Sequence, residues 1–159
     1  MGVRVRDLAP DDRALVREAL IHCGAFTDEE VRVALDMVEA GLAGDYSLLA
    51  VETDGDLRGY ACFGRAHLTV SSWYLYWICI HPRAQGLGLG RMLQDCVEDR
   101  VRELGGNRLV LETSGRPDYE RARRFYREVG FVEVGRIPEF YRPGDDCLVC
   151  CKVLSAGDG

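Results

Sequence analysis

Nowhere in the 159 residues does an apolar run reach the length needed to cross a bilayer. The opening stretch MGVRVRDLAP lacks the apolar centre of a secretory leader, and Arg6 stands where a myristoylation motif requires Ser or Thr. Repeats, low-complexity segments and interdomain linkers are missing too, so one domain over residues 1–159 is expected. These absences predict a cytoplasmic protein with no membrane partner. Histidine is scarce: His22, His67 and His81 are scattered, and no second Cys/His pair stands at finger spacing from Cys147, Cys150 and Cys151. No metal is expected.

Seven cysteines, an odd number without an export signal, argue against a disulfide framework. Cys62, Cys79 and Cys96 fall within apolar patterns, where a free thiol behaves as a small hydrophobe. The run CLVCCKV reads as an apolar strand. A hydrophobic content of 47% with 29% charged residues is that of a folded globular chain. The net charge of −6 excludes a general nucleic-acid binder. An anionic ligand must therefore be held locally, by oriented N–H groups and a few arginines, whereas a cationic substrate suits the overall balance.

Periodicity supplies the elements. Residues 3–7, VRVRD, alternate as a strand. Residues 10–23 read as a helix with Leu15, Val16, Ala19 and Leu20 on its apolar stripe, Pro10 near its start and Gly24 after it. TDEE is a capping box opening a second helix, with Thr27 at the N-cap and Glu30 three residues on. Its stripe is Val31, Leu35, Val38 and Leu42, and Gly44 ends it. YSLLAVET and LRGYACFGRA, separated by DGD, read as a hairpin. WYLYWICI, residues 73–80, is apolar on both faces, as expected of a covered central strand. A long helix follows with Leu89, Leu93, Cys96, Val97, Val101 and Leu104 as its stripe, stopped by Gly105 and Gly106. NRLVLETS is another buried strand. DYERARRFYREVG is a helix carrying Ala122, Phe125, Tyr126 and Val129 on one face, and FVEVGRI and DCLVCCKVL complete a sheet. The order is β-α-α-β-β-β-α-β-α-β-β, with a parallel pair expected across the glycine-led helix.

Between the apolar strand and that helix lies HPRAQGLGLGRML, with Gly86, Gly88 and Gly90 at alternate positions. The first turn of a helix exposes N–H groups without intrahelical partners, and the helix dipole adds positive charge there. Glycines let the chain turn tightly and let a ligand approach the backbone. The site suits a pyrophosphate. A P-loop would need Lys and Ser or Thr where Arg91 and Met92 stand, and a dinucleotide fingerprint would need glycine at Arg91. Neither fits.

The stretch WICIHPRAQGLGLGRML resembles the acetyl-CoA signature of the GNAT N-acetyltransferase superfamily, Gln/Arg-x-x-Gly-x-Gly/Ala after a strand, through Gln85, Gly88 and Gly90. RARRFYREVGF, residues 121–131, is similar to the family's Tyr-x-x-x-Gly-Phe segment. The resemblance implies an α+β fold of α/β type with a mixed, mostly antiparallel sheet of six to seven strands and helices on both faces. It implies acetyl-CoA as cosubstrate, lying where the strand of residues 73–80 splays from that of residues 107–114. Backbone groups of Ile78, Cys79 and Ile80 would pair with the pantetheine arm. The N–H groups of Gln85, Gly86, Leu87, Gly88, Leu89, Gly90 and Arg91 would hold the pyrophosphate. It also leaves a homodimer open.

The implied reaction is direct attack of an amine on the thioester. Glu112, at the end of RLVLET, matches a glutamate that serves as base in several relatives; a strand-end carboxylate paired with an arginine, or water-mediated transfer, is the alternative. Tyr126 matches the family's general acid, although its spacing alone reads as a buried aromatic, and Tyr141 is the alternative. Tyr119 replaces an asparagine that contacts the cofactor in many relatives, and SSWYLYW lacks the carboxylate common in their fourth strand. Arg83 and Arg91 flank the glycines, while Arg124 and Arg127 either reach a phosphate or form a solvated face with Glu120 and Glu128. The loops expected to border the acceptor carry Asp28, Glu29, Glu30, Glu139, Asp145 and Asp146 with Phe26, Phe140 and Tyr141, which suits a cationic amine with an apolar portion, small molecule or peptide. A non-catalytic acyl-CoA sensor or interaction module on the same fold is the rival reading.

Overall fold

In the computed structural model, which describes residues 2–23 and 26–155, seven strands and four α-helices follow one another in the expected order among the described residues. They are β1 (Val3–Asp7), α1 (Arg13–His22), α2 (Asp28–Leu42), β2 (Ser47–Thr53), β3 (Asp56–Arg65), β4 (Ser72–Ile80), α3 (Leu89–Glu103), β5 (Arg108–Ser114), α4 (Glu120–Glu128), β6 (Val132–Arg142) and β7 (Asp145–Val153). Gly24, expected to close the first helix, lies outside the described residues. One sheet contains all seven strands in the order β1-β2-β3-β4-β5-β7-β6. Every pairing is antiparallel except that of β4 with β5, which is parallel. That is the pair the sequence predicts, because α3 supplies the long crossover that parallel strands require.

Local chemistry sets the boundaries. Pro10–Asp12 form a 3-10 turn rather than the start of α1, and Asp12 holds it by accepting the Ala9 N–H at 2.7 Å. The capping box of α2 is reciprocal: Glu30 N–H donates to Thr27 Oγ1 at 3.2 Å and Thr27 N–H to Glu30 Oε2 at 2.6 Å. At the β2–β3 hairpin Asp54 and Gly55 have φ of 52° and 88°, the double left-handed conformation that matches strand twist.

The sheet separates two apolar clusters. On one face α1 and α2 pack Val16, Leu20 and Val38 against Ala50, Tyr60 and Cys62; on the other α3 packs Leu93, Val97 and Val101 against Val51, Phe63 and Leu109. Two expected core residues are in solvent. Leu15 is 44% exposed because the buried stripe of α1 is Val16, Ala19 and Leu20, and Leu104 is 53% exposed because it caps α3 past its packed turns. The stripe of α4 is only half-buried apart from Val129, since that face fronts an open cleft rather than the core.

Charged groups under the sheet edge are paired. Arg6 donates to Asp12 at 2.7 Å and to Glu52 at 2.8 Å, and both carboxylates are buried. Glu98, buried on α3, takes the chain's one lysine, Lys152, at 2.6 Å. The Arg6 hydrogen bonds hold the Asp12 and Glu52 carboxylates below their ordinary values. A depressed carboxylate stabilises the fold above its unfolded value and loses that contribution as pH falls through the folded value. Arg6→Ala is expected to lower the unfolding free energy by about 2 kcal/mol at pH 7. The deficit should narrow in acid as Asp12 protonates, which urea titrations of both proteins at neutral and acid pH will measure.

Candidate active site

Strands β4 and β5 pair only at Ser72–Arg108, Trp73–Leu109 and Tyr74–Val110. Beyond Tyr74 they separate, and the gap opens into a cleft of about 1210 Å³. A bulge contributes to this geometry. Cys62 of β3 faces Trp77 and Phe63 faces Leu75, so Tyr76 is an extra residue in β4. The bulge also exchanges the faces of the strand: Trp73 and Leu75 belong to the α3 cluster, whereas Trp77 and Cys79 pack beneath α1 and α2. Simple alternation from residues 73–80 cannot anticipate that exchange.

Backbone direction distinguishes the three residues expected to meet a pantetheine arm. His81 N–H donates to Arg58 of β3 at 2.7 Å, and a Cβ on Gly59 would strike the Cys79 carbonyl, so Cys79 directs its carbonyl to β3. By strand alternation Ile78 and Ile80 turn their polar groups toward the gap. The Ile80 carbonyl is already taken by Gln85 Nε2 at 3.0 Å. Groups of Ile78 and the Ile80 N–H are thus available, and Cys79 brings only its side chain to the cleft. Gln85 braces the turn, its own N–H reaching the Pro82 carbonyl at 3.4 Å.

The glycines differ in their reasons. Gly86 and Gly88 have φ of 81° and 78°, with open space where a Cβ would stand, so they are required by conformation. Gly90 has a Cβ position 3.2 Å from the Phe125 ring, so a glycine there eases the approach of α3 to α4. Met92 N–H is bonded to the Gly88 carbonyl at 3.1 Å, which leaves the N–H groups of Leu89, Gly90 and Arg91 ahead of it without intrahelical acceptors. Arg91 and Arg124 line the cleft mouth near them, held by the Glu128 carbonyl at 3.0 Å and the Glu128 carboxylate at 3.3 Å. Arg83 and Arg127 do not line it, and Arg127 pairs with Glu120 at 2.8 Å.

Glu112, Tyr126 and Tyr141 all line the cleft. Glu112 is exposed and has no ion pair among the described residues, so the arginine partner considered from sequence is not seen. Tyr126 is half-buried on α4, and burial, reinforced by nearby thiols, pushes its hydroxyl above the ordinary tyrosine value and keeps it protonated. Tyr141 Oη donates to Cys147 Sγ at 3.7 Å, and its hydroxyl is raised too, mainly by burial.

Of the acceptor-loop residues, Phe26, Glu29, Glu30, Tyr141 and Asp145 line the cleft. Asp28, Glu139, Asp146 and Phe140 do not: Asp146 accepts the Glu139 N–H at 2.9 Å and pairs with Arg136 at 3.2 Å, which is turn chemistry. Sequence reasoning missed two features. Tyr119 Oη donates to Glu30 Oε1 at 2.7 Å, tying the approach to α4 to the start of α2. Trp77 Nε1 donates to Met37 Sδ at 3.2 Å while Phe26 stacks edge-on at 5.0 Å, making an apolar shelf. Both join residues far apart in the chain and leave no local signal.

The acetyltransferase (GNAT) family matches residues 13–131. Mycothiol acetyltransferase of Sanguibacter keddieii is 34% identical over 124 residues, 75% of this chain but 37% of that protein, so the chain spans little more than a third of that relative. A GNAT-family structure from Desulfovibrio desulfuricans is 37% identical, with a TM-score of 0.92 over 97% of this chain and 100% of that one. The yncA structure of Salmonella typhimurium, solved with its cofactor acetyl-CoA, shares the fold at 22% identity, with a TM-score of 0.77 over 100% of this chain and 98% of that one. Among the described residues no helix is long and apolar enough to cross a membrane.

The glycine geometry has a direct test. Gly88→Ala places a side chain at φ of 78° and should cost about 1–2 kcal/mol. Gly90→Ala asks Phe125 to move by a few tenths of an ångström and should cost less. Urea unfolding of the two variants beside the parent will rank them.

Proposed function

This chain belongs to the GNAT acetyltransferase family, and we propose that it moves an acetyl group from acetyl-CoA to a primary amine by direct attack within a ternary complex. The observation that carries this reading is the joining, in one cleft, of parted strands β4 and β5 with the unpaired amides at the start of α3. Those amides and Arg91 suit a pyrophosphate, and Gly86 and Gly88 let it approach. Ile78 and Ile80 present backbone groups to the pantetheine arm. The reducing compartment suited to the chain's free thiols is consistent with cytoplasmic action.

The amine must attack as its neutral form, yet a lysine-type amine titrates near ~10.4 and an α-amine near ~8. Glu112 lines the cleft without an ion-pair partner among the described residues and serves as base, directly or through water. The nitrogen lone pair adds to the thioester carbonyl, and an N–H of β4 suits the developing oxyanion. Collapse expels the thiolate. Tyr126, held protonated by burial, delivers the proton that the thiolate takes. Glu29 brings an exposed carboxylate to the acceptor side, where Asp145 is paired with Arg142 at 3.6 Å, and Phe26 with Trp77 gives it an apolar shelf, so the acceptor is a cationic amine with an apolar portion.

Coenzyme A titrated into the protein should release or absorb heat. Thiol release from acetyl-CoA with a panel of polyamines, amino acids, aminoglycosides and peptide N-termini should be fastest with cationic acceptors; turnover confined to neutral or acidic ones overturns the acceptor assignment. Binding without turnover on any amine would mark a sensor instead. Tyr126→Phe should lower kcat about 10²-fold or more. Glu112→Gln should lower it at pH 7 and much less above the amine's own pKa, where no base is needed. A pH profile of both variants separates the two roles.

A further inference from the structure

Two of the scarce histidines, distant in the chain, meet beside the cleft. Helix α1 ends at His22, and Glu18 stands one turn before it. Both are exposed, on the side of α1 away from its buried Val16, Ala19 and Leu20. His81 follows the last residue of β4 and is half-buried. The two imidazole rings are 5.8 Å apart between centroids and tilted by 34°. One ligand atom from each of Glu18, His22 and His81 lies within 4.8 Å of the other two. None of the three residues lines the cleft, so acetyl transfer makes no use of the cluster.

Hydrogen bonds fix what each residue offers. His22 Nδ1 is 2.8 Å from the Glu18 carbonyl oxygen. A carbonyl only accepts, so the ring proton is on Nδ1 and the Nε2 lone pair is free. An imidazole oriented in this way, with its second nitrogen donating to a backbone carbonyl, is ready to ligate a metal. The Glu18 carboxylate makes no hydrogen bond or ion pair among the described residues, and its spacing of four puts it on the same side of the helix as His22. Two imidazole nitrogens and a carboxylate oxygen are a donor set for zinc, with water in the fourth position. Tetrahedral zinc with bonds of ~2.1 Å needs ligand atoms about 3.4 Å apart, a closure that exposed side chains make by rotation.

We propose that Glu18, His22 and His81 form a binding site for zinc or a similar late first-row divalent ion, and that the bound ion uncaps the turn leading into the glycine segment. His81 Nδ1 accepts the Arg83 N–H at 3.2 Å and so caps the 3-10 turn Pro82–Ala84. A metal on Nδ1 takes that lone pair directly. A metal on Nε2 sends the ring proton to Nδ1, which then has no lone pair to offer. In either case the Arg83 N–H loses its acceptor, and the turn before Gln85 loosens. Metal binding and turn capping therefore oppose each other, and the opposition is reciprocal. Its effect on acetyl-CoA rests on the acetyltransferase reading; the metal site does not.

The chelator-stripped full chain is titrated with zinc chloride in a calorimeter, and cobalt(II) chloride is followed by absorption. One zinc per chain should bind and be withdrawn by EDTA. The cobalt complex should show d–d bands without the intense charge-transfer band of thiolate ligands. His22→Gln and Glu18→Gln, both at exposed positions, should weaken zinc by about tenfold or more, since even an outer partner of a metal ligand is worth that much. Acetyl-CoA, whose sulfur is blocked, should bind about two- to fivefold more weakly to the zinc-loaded parent, the scale of one lost cap. Zinc should have no such effect on His22→Gln, or on His81→Asn, where asparagine retains an acceptor for the Arg83 N–H. A thiolate band, or zinc affinity unchanged in His22→Gln, overturns the site. Zinc bound there with acetyl-CoA affinity unchanged overturns the uncapping. Failure of the zinc-free protein to bind acetyl-CoA overturns the acetyltransferase reading and leaves the metal site standing.

Discussion

Everything in the cleft depends on the parting of two parallel strands after three residue pairs. A sheet left open in its middle has unpaired N–H and C=O groups on both lips, and such groups are costly when they are buried without partners. The chain resolves the conflict by making the gap a solvent-reached cleft. The Tyr76 bulge bends β4, Gln85 takes the one carbonyl at its end, and the left-handed glycines direct α3 so that its free amides open onto the same space.

Ion pairs support the frame around that opening. The acidic chain keeps its buried carboxylates satisfied: Asp12 and Glu52 share Arg6, and Glu98 receives Lys152. Glu112 lines the cleft without such a clamp among the described residues, the environment that its proposed role as base calls for. The tyrosines show a similar division. Tyr119 spends its hydroxyl on Glu30 across the mouth, while Tyr126 lines the cleft and its hydroxyl makes no hydrogen bond among the described residues.

Much of this was legible in the sequence, for definable reasons. Element order, the Thr27 capping box, the Asp54–Gly55 hairpin and the parallel crossover all follow from periodicity and turn chemistry, which act over a few residues. The glycine turn and the family likeness located the cleft. What escaped were properties that depend on register or on distant contacts. The direction of the Cys79 carbonyl is set by pairing with β3, and the facing of Trp77 by a one-residue bulge. Leu15 and Leu104 obeyed the helical period but fell at its margins, where a helix turns away from its neighbour. Tyr126 read as a core aromatic because a half-buried cleft face and a core face have the same period.

The split sheet has a mechanical meaning. With three ladder rungs between them, the β1-to-β4 part and the β5-β7-β6 part form two plates joined along a short seam, with α3 laid beside the seam as a strap. One apolar cluster underlies both plates, from Val51 and Phe63 to Leu109 and Cys150, so the short seam is backed by a shared core. A molecule laid in the gap would meet the backbone groups that the missing rungs leave open, and would tie the two plates a second time.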